Sequence, residues 1–315
     1  MIAYRVEAGE FARVFPKGAS HVFNSVEFAE LNRSKCDRVH YVLFKDGKTR
    51  GGIILGERNG ELLSPFSAPF GGFCFTGVQL LEVVDGIVDA LKQYAALLGM
   101  SVEISLTPEF YDRAMQPKVF SSLLRGGRLL FADINHYCPV EGYKGEEWRQ
   151  CAEARMSGKV RQKFRRSFGE PFAMWRLSRN SPSDIERAYA VIAANRSAKG
   201  YPLRMTLDDV IRTAPLVDAE FFVMTHGEDD VAAAVVYRVA PEIMQVVYWG
   251  DAPGFEQLYP MRRFAPEVMH ACAEMGARIL DIGPSSEYGI PSHGLCFFKD
   301  SVGCLSTIKP RFRLS

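Results

Sequence analysis

Two short links constrain the second half of this 315-residue chain more than any other feature: HGEDD at 226–230 and APE at 240–242. They join runs rich in β-branched and aromatic residues, EFFVMT, VAAAVVYRV and IMQVVYW, bounded by Gly, Asp and Pro. Neither link is long enough to carry a helical crossover, so strands at 221–225, 231–239 and 243–249 must form an antiparallel meander. The segment MRRFAPEVMHACAEMG then reads as a helix and leads to a further strand, ARILDIG, across a connection long enough for a crossover. A short helix over HGLCFFKDSVG and a strand over TIKPRFRLS complete the series. The expected class is α/β (α+β), with mixed, largely antiparallel sheets flanked by helices.

The first half repeats this order. RVHYVLFKDGKTRGGIILGERNGELLSPFSAPFGGF, from Arg38, reads strand, DGK turn, strand, RNG turn, strand. Leu81, Val84, Val88, Leu91, Ala95 and Leu98 recur at spacings of three and four, which places them on one helix face. Gly99 stops that helix and MSVEISLTPE resumes as a strand. HYVLFKDGKTRGGIILGERNGELLSPFSAP aligns element for element with FFVMTHGEDDVAAAVVYRVAPEIMQVVYWGDAP, and ALLGMSVEISLTPE aligns with AEMGARILDIGPSSE. Self-similarity at such a long period predicts two copies of one supersecondary unit, in domains at 1–145 and 146–315. The plainer alternative is that any two α/β units share this order. The 47% apolar content supplies two cores.

Between the copies, PKVFSSLLRGGRLL reads as a helix and FADINHYCPV as a strand. The next segment, GEEWRQCAEARMSGKVRQKFRRSFGEPF, places Met156, Val160, Phe164 and Phe168 four apart, one apolar stripe on a helix. Gly158 weakens that helix by roughly 1 kcal/mol against Ala. Arg155, Lys159, Arg161, Lys163, Arg165 and Arg166 cover its other faces, with no acidic residue between 154 and 169. Such a run can bind phosphate through charge-assisted hydrogen bonds, or it can be a solvated face. A second helix, DIERAYAVIAANRSAKG, is expected to start at Ser183 as N-cap, with Glu186 closing a capping box.

Several classes are excluded. A net charge of +1 argues against a dedicated duplex-DNA binder. The N-terminus has no apolar h-region, and no apolar run reaches the roughly 20 residues of a membrane span. The scattered cysteines 36, 74, 138, 151, 272, 296 and 304 contain no CxxC pair and fit reduced thiols in a cytoplasmic protein. GKT at 47–49 lacks the glycine of a P-loop, and there is no GxGxxG, HExxH or GxSxG. The six histidines have no metal-ligand spacing, so no metal site is expected.

The order meander, helix, strand, short helix, strand, together with GLCFFKDSVG, resembles the GNAT superfamily. Within it, the pattern is similar to the FemAB peptidyltransferases and the BioF2-like acetyltransferases. This resemblance implies two tandem GNAT-like domains and transfer of an activated acyl group to an amine. It places Lys299 where the family carries an FK lysine, able to stabilise the oxyanion of acyl transfer. Pairing of Lys299 with Asp300 or Asp281 to hold the helix is the structural alternative. The resemblance also turns Arg161 and Arg165 toward a phosphorylated substrate or donor. The RxxGxG loop that cradles the coenzyme A pyrophosphate in acetyl-CoA enzymes is replaced by GDAPGFEQLYPMRRF. That segment offers Gly254, Arg262 and Arg263 without the glycine spacing. Paired glycines in SAPFGGF (67–73) bring backbone close to a ligand or form a β-bulge.

The chemistry further needs a group to take the amine proton. Asp251, Glu287 and His293 follow strand-like segments and are candidates; Tyr248, Tyr259 and Tyr288 are candidates to protonate the leaving group or contact substrate. The expected function is N-acyl transfer from acyl-CoA (acetyl-CoA) to a small-molecule or peptide amine. Aminoacyl-tRNA as donor, with a peptidoglycan precursor or peptide as acceptor, is the alternative within the family. A non-catalytic binding module on the same fold is the alternative outside it.

Overall fold

The long alternating runs form strands where the turn chemistry allows. The computed structural model describes residues 1–315, and contacts divide the chain into two units. The first comprises Met1–Asn135, Ser286–Pro291 and Thr307–Ser315; the second comprises His136–Ser285 and Ser292–Ser306. The division lies ahead of the junction expected near 145. It falls inside a strand, so no linker marks it in the sequence.

In the first unit the chain runs through β1 (Ile2–Val6), α1 (Ala8–Val14), α2 (Val26–Leu31), β2 (Arg38–Asp46), β3 (Lys48–Arg58), β4 (Glu61–Ser64) and β5 (Phe73–Phe75). There follow α3 (Leu81–Leu97), β6 (Ser101–Ser105), α4 (Gln116–Gly126) and β7 (Arg128–Pro139), whose last residues count with the second unit. β2 and β3 pair antiparallel around the turn at Gly47, whose φ of +66° favours glycine. β4 and β6 pair parallel across α3, the crossover expected after the meander. The apolar face of α3 (Val84, Ile87, Val88, Leu91, Ala95) is buried against Val42, Phe44, Ile53, Leu55 and Ile104.

The second unit continues with α5 (Trp148–Arg155), α6 (Gly158–Arg166), β8 (Phe172–Leu177), α7 (Pro182–Lys199), α8 (Leu207–Thr213), β9 (Glu220–His226), β10 (Asp229–Ala240) and β11 (Ile243–Asp251). Next come α9 (Pro260–Glu274) and β12 (Ile279–Pro284). The hairpin β13 (Ser286–Glu287) and β14 (Ile290–Pro291) belongs to the first unit, and α10 (His293–Ser301) returns to the second. Finally β15 (Leu305–Leu314) sends Thr307–Leu314 into the first unit, where Arg311–Leu314 pair antiparallel with β6. The strand order in the second unit is β7-β12-β11-β10-β9-β8, with β8 through β11 antiparallel and β11 parallel to β12.

Two helix expectations are corrected. The basic segment is two helices, broken at Met156 and Ser157, both of which are extended at ψ 145° and 157°. Arg161 makes the break tenable: its Nε donates to the Glu153 carbonyl at 2.8 Å and its Nη2 to the Met156 carbonyl at 3.0 Å, satisfying the last turn of α5. The stripe itself holds, since Met156, Val160 and Phe164 are buried and Phe168 packs beside them. The second helix begins at Ser181 rather than Ser183. Ser181 Oγ accepts from the Asp184 amide at 3.3 Å, and Pro182 fills the first helical position, where its missing N–H costs nothing.

Strand parity places α7 and α9 on opposite faces of β9–β11. Phe222, Met224, Ala234, Val236, Met244 and Val246 share a core with α9 residues Phe264, Val268 and Met269. The alternate residues Phe221, Val223, Ala233 and Val235 are equally buried and face the other way, toward α7.

Candidate functional site at the end of β11 and β12

β11 and β12 pair over only three residues, Ile243–Gln245 against Ile279–Asp281. β11 runs on to Asp251 and β12 to Pro284, leaving an opening between two adjacent parallel strands. On the other edge of β11 a bulge is present: Val236 pairs with Val246 and Val235 with Tyr248, so Val247 is the extra residue. A one-residue insertion exchanges the faces of all that follows. Met244 and Val246 point toward α9; after the bulge Trp249 does so, and Tyr248 and Gly250 turn toward α7.

A buried polar pair floors the opening. Gln245 Nε2 donates to Asp281 Oδ2 at 2.7 Å, and Asp281 Oδ1 accepts the Gly283 amide at 2.9 Å. The end of β12 is then fixed from α10. Lys299, 2% exposed, donates from Nζ to the carbonyls of Gly283 and Pro284 at 2.8 and 2.9 Å. Its neighbour Asp300 lies 3.1 Å from His136 Nε2, and His136 Nδ1 lies 2.9 Å from Ser285 Oγ. Burial lowers the pKa of His136; the charge of Lys299 acts the same way, and Asp300 opposes both. His136 is therefore neutral at pH 7.

The remaining sequence candidates fall into three groups. Around β11 and α9, Tyr248 accepts the Met205 amide on its hydroxyl at 3.3 Å, and burial raises its pKa. Asp251 Oδ1 accepts from Asn195 Nδ2 at 3.0 Å and from Lys199 Nζ at 2.8 Å. Gly254 donates its amide to the Glu256 carboxylate. Tyr259 caps α9 with φ 52°, and Lys163 Nζ sits 3.5 Å from its ring centroid. Arg262 donates to the Ser301 hydroxyl and lies 5.1 Å from the Phe298 ring. Arg263 donates to Glu267 at 2.6 Å and to the Ser167 carbonyl at 3.1 Å. His293 opens α10 and is exposed.

Arg161 and Arg165 form the second group. Arg165 donates twice to Glu153 Oε2, at 2.8 and 2.6 Å, so the charge that looked unbalanced has a carboxylate just outside the counted window. Glu287 and Tyr288 form the third. They lie in the β13–β14 hairpin of the first unit, where Tyr288 packs on Phe131 at 5.4 Å.

No family model matches the sequence, and no curated protein is similar to it. The fold has relatives among solved structures. FemX superposes with a TM-score of 0.69 at 12% identity, covering 99% of this chain and 97% of that one. The C-terminal domain of a putative lysylphosphatidylglycerol synthetase from Agrobacterium fabrum gives 0.61 at 12% identity, covering 98% and 93%. L-PGS from Bacillus licheniformis gives 0.59 at 12% identity, covering 100% and 94%. The chain shares its fold with these structures. The opening between β11 and β12, with α9 leading from one strand to the other, lies in the second unit.

Sequence reasoning missed Gln245, Asn195, Arg196, His136 and Ser285, and named Lys163 only as one cation of the basic run. Gln245 carried a readable signal: one amide in the apolar run IMQVVYW asks for a buried partner. The others depend on which faces the bulge and the chain's returns bring together.

Proposed function

We propose that this chain is an N-acyltransferase whose second unit holds the activated acyl group in the opening between β11 and β12. The observation that carries the reading is the parting of these strands after Gln245 and Asp281, beside the bulge at Val247. Parted strands leave backbone N–H and C=O groups able to bond an extended acyl arm as a further strand would. The amine nitrogen attacks the acyl carbonyl, the tetrahedral intermediate collapses, and the leaving thiolate or alkoxide takes up the proton that the amine gives off. Lys299 acts in this scheme by fixing the carbonyls of Gly283 and Pro284, which set the lip of β12, and by adding positive charge close to the developing oxyanion.

Acyl-CoA is the donor we favour, with its pyrophosphate at the first turn of α9 beside Lys163. Aminoacyl-tRNA is the second reading, and one observation favours it. Pro260 opens α9 without an N–H, while Arg262 and Arg263 are engaged by Ser301 and Glu267, so the turn offers a pyrophosphate few donors. Peptide or other amine acceptors suit both readings.

Calorimetric titration with coenzyme A and acetyl-CoA separates them. Binding in the micromolar range, weakened several-fold by Lys163→Ala, supports acyl-CoA. Binding of charged tRNA alone supports the second donor. Binding of neither contradicts the transferase reading and leaves a binding module on this fold.

A further inference from the structure

Arg196 lies near the end of α7, and its charge has no acidic partner. Several arginines of the second unit are held by acids: Arg176 pairs with Glu220, Arg187 with Asp230, Arg263 with Glu267 and Arg165 with Glu153. Arg196 forms no ion pair. Its guanidinium carbon lies 5.4 Å from the Tyr248 ring centroid and 5.8 Å from that of Tyr201, and its Nε is buried without a hydrogen-bond partner. On the same side of β11, Asp251 is paired with Lys199 and bonded by Asn195, both from α7. Burial lowers the pKa of Arg196, and only the two tyrosines oppose it.

A half-buried guanidinium left this way costs stability unless something else supplies the anion. The surroundings are built rather than loose. Tyr189 donates its hydroxyl to the Met205 carbonyl at 2.9 Å, and Tyr248 accepts the Met205 amide, so the segment after α7 is pinned at both its polar groups. Tyr248 reaches this face only because the bulge at Val247 turns it there.

We propose that Arg196, flanked by Tyr201 and Tyr248, binds an anionic group of the amine acceptor, a carboxylate or a phosphate. This rests on the transferase reading and adds the acceptor's class: an amine that carries a negative group. It also assigns the two substrates to opposite faces of β11, with the donor led in along α9 and the acceptor anchored on the α7 side. The opening above Gln245 and Asp281 is where the two would meet. The two aromatic faces hold the guanidinium in place, and its N–H groups are the donors that fork onto a carboxylate or a phosphate.

The test follows the Nε–Hε resonance of Arg196 by NMR in the full chain, assigned by its loss in Arg196→Lys. The protein is titrated separately with acetate and with inorganic phosphate. The expected result is a saturable shift with half-saturation of about 1–10 mM for one of the two. Which of them saturates tells a carboxylate acceptor from a phosphorylated one. A second readout compares lysine with cadaverine as acetyl-CoA acceptors. Arg196→Gln is expected to lower kcat/KM for lysine about 10- to 100-fold and to leave cadaverine unchanged. No saturation with either anion up to about 100 mM overturns the proposal, as does undiminished selectivity for lysine in Arg196→Gln. Because the titration needs no donor, a saturable shift in a protein that binds neither acetyl-CoA nor charged tRNA would refute the transferase reading and keep the anion site.

Discussion

A single buried ammonium shows what the residue scale decides. Lys299 was singled out for the chemistry, and its Nζ is spent on the carbonyls of Gly283 and Pro284. Pinning those carbonyls predicts a larger loss than a surface lysine would show. Lys299→Met leaves two buried carbonyls short of a donor, which costs about 2–3 kcal/mol in urea unfolding. A surface lysine of mere solubility value would cost under about 0.5 kcal/mol. His21 makes the pH prediction. It is buried against Phe23, Phe70 and Tyr111, and burial lowers its pKa to about 4 against a weaker opposing bond to the Gly71 backbone. The folded pKa is depressed, so the unfolded chain takes up a proton below pH 6.5 that the folded chain refuses until about pH 4. The contribution is complete above pH 6.5 and is lost on acidification through that window, about 3 kcal/mol in all. Thermal unfolding of His21→Phe should therefore fall less steeply than wild type between pH 6.5 and 4; parallel curves would remove His21 as the cause. The sequence offered a structural role for Lys299 but with carboxylate partners rather than the two carbonyls, and it gave no sign of His21; both burials come from packing.

At the scale of elements the sequence was most readable where period and turn chemistry agree. The links HGEDD and APE fixed the antiparallel meander, and β9, β10 and β11 lie within a few residues of the expected strands. α7 starts two residues earlier than expected: Ser183 and Glu186 offer a capping box inside its first turn, while Ser181 followed by Pro182 is the better start. The prediction is a difference between two serines: Ser181→Ala costs about 1 kcal/mol in chemical unfolding, and Ser183→Ala less than about 0.5 kcal/mol. Equal losses would contradict the cap seen here. The basic segment was legible only in part. Its apolar stripe was legible, but the break at Met156 and Ser157 was not, because it depends on Arg161 reaching back to the carbonyls of α5. The bulge at Val247 left no mark either. VVYW reads as plain strand, and the extra residue shows only in its pairing with β10.

On the scale of the whole molecule, the repeat seen in the sequence corresponds to two units of like order, each a meander, a helix and a parallel strand. What the sequence could not show is that the chain revisits the first unit, through Ser286–Pro291 and again through Thr307–Ser315. Asp133 accepts Ser286 Oγ at 2.8 Å and the Gly289 amide at 2.9 Å, and Arg311 donates to Glu103 at 2.8 Å. These partners lie more than a hundred residues apart in the chain, beyond the reach of local pattern. For the same reason the candidates Glu287 and Tyr288 count with the first unit, while Lys299 counts with the second. No helix is long and apolar enough to cross a membrane.

The account stands on the opening between β11 and β12 as the place of the activated acyl group. Hydrogen exchange of the full chain, read by mass spectrometry without donor, with acetyl-CoA and with charged tRNA, tests it most directly. The account predicts slowed exchange at 246–251 and 282–284, with the first turn of α9 also slowed, for one of the two donors. Protection confined to other segments, or none with either donor, would contradict it.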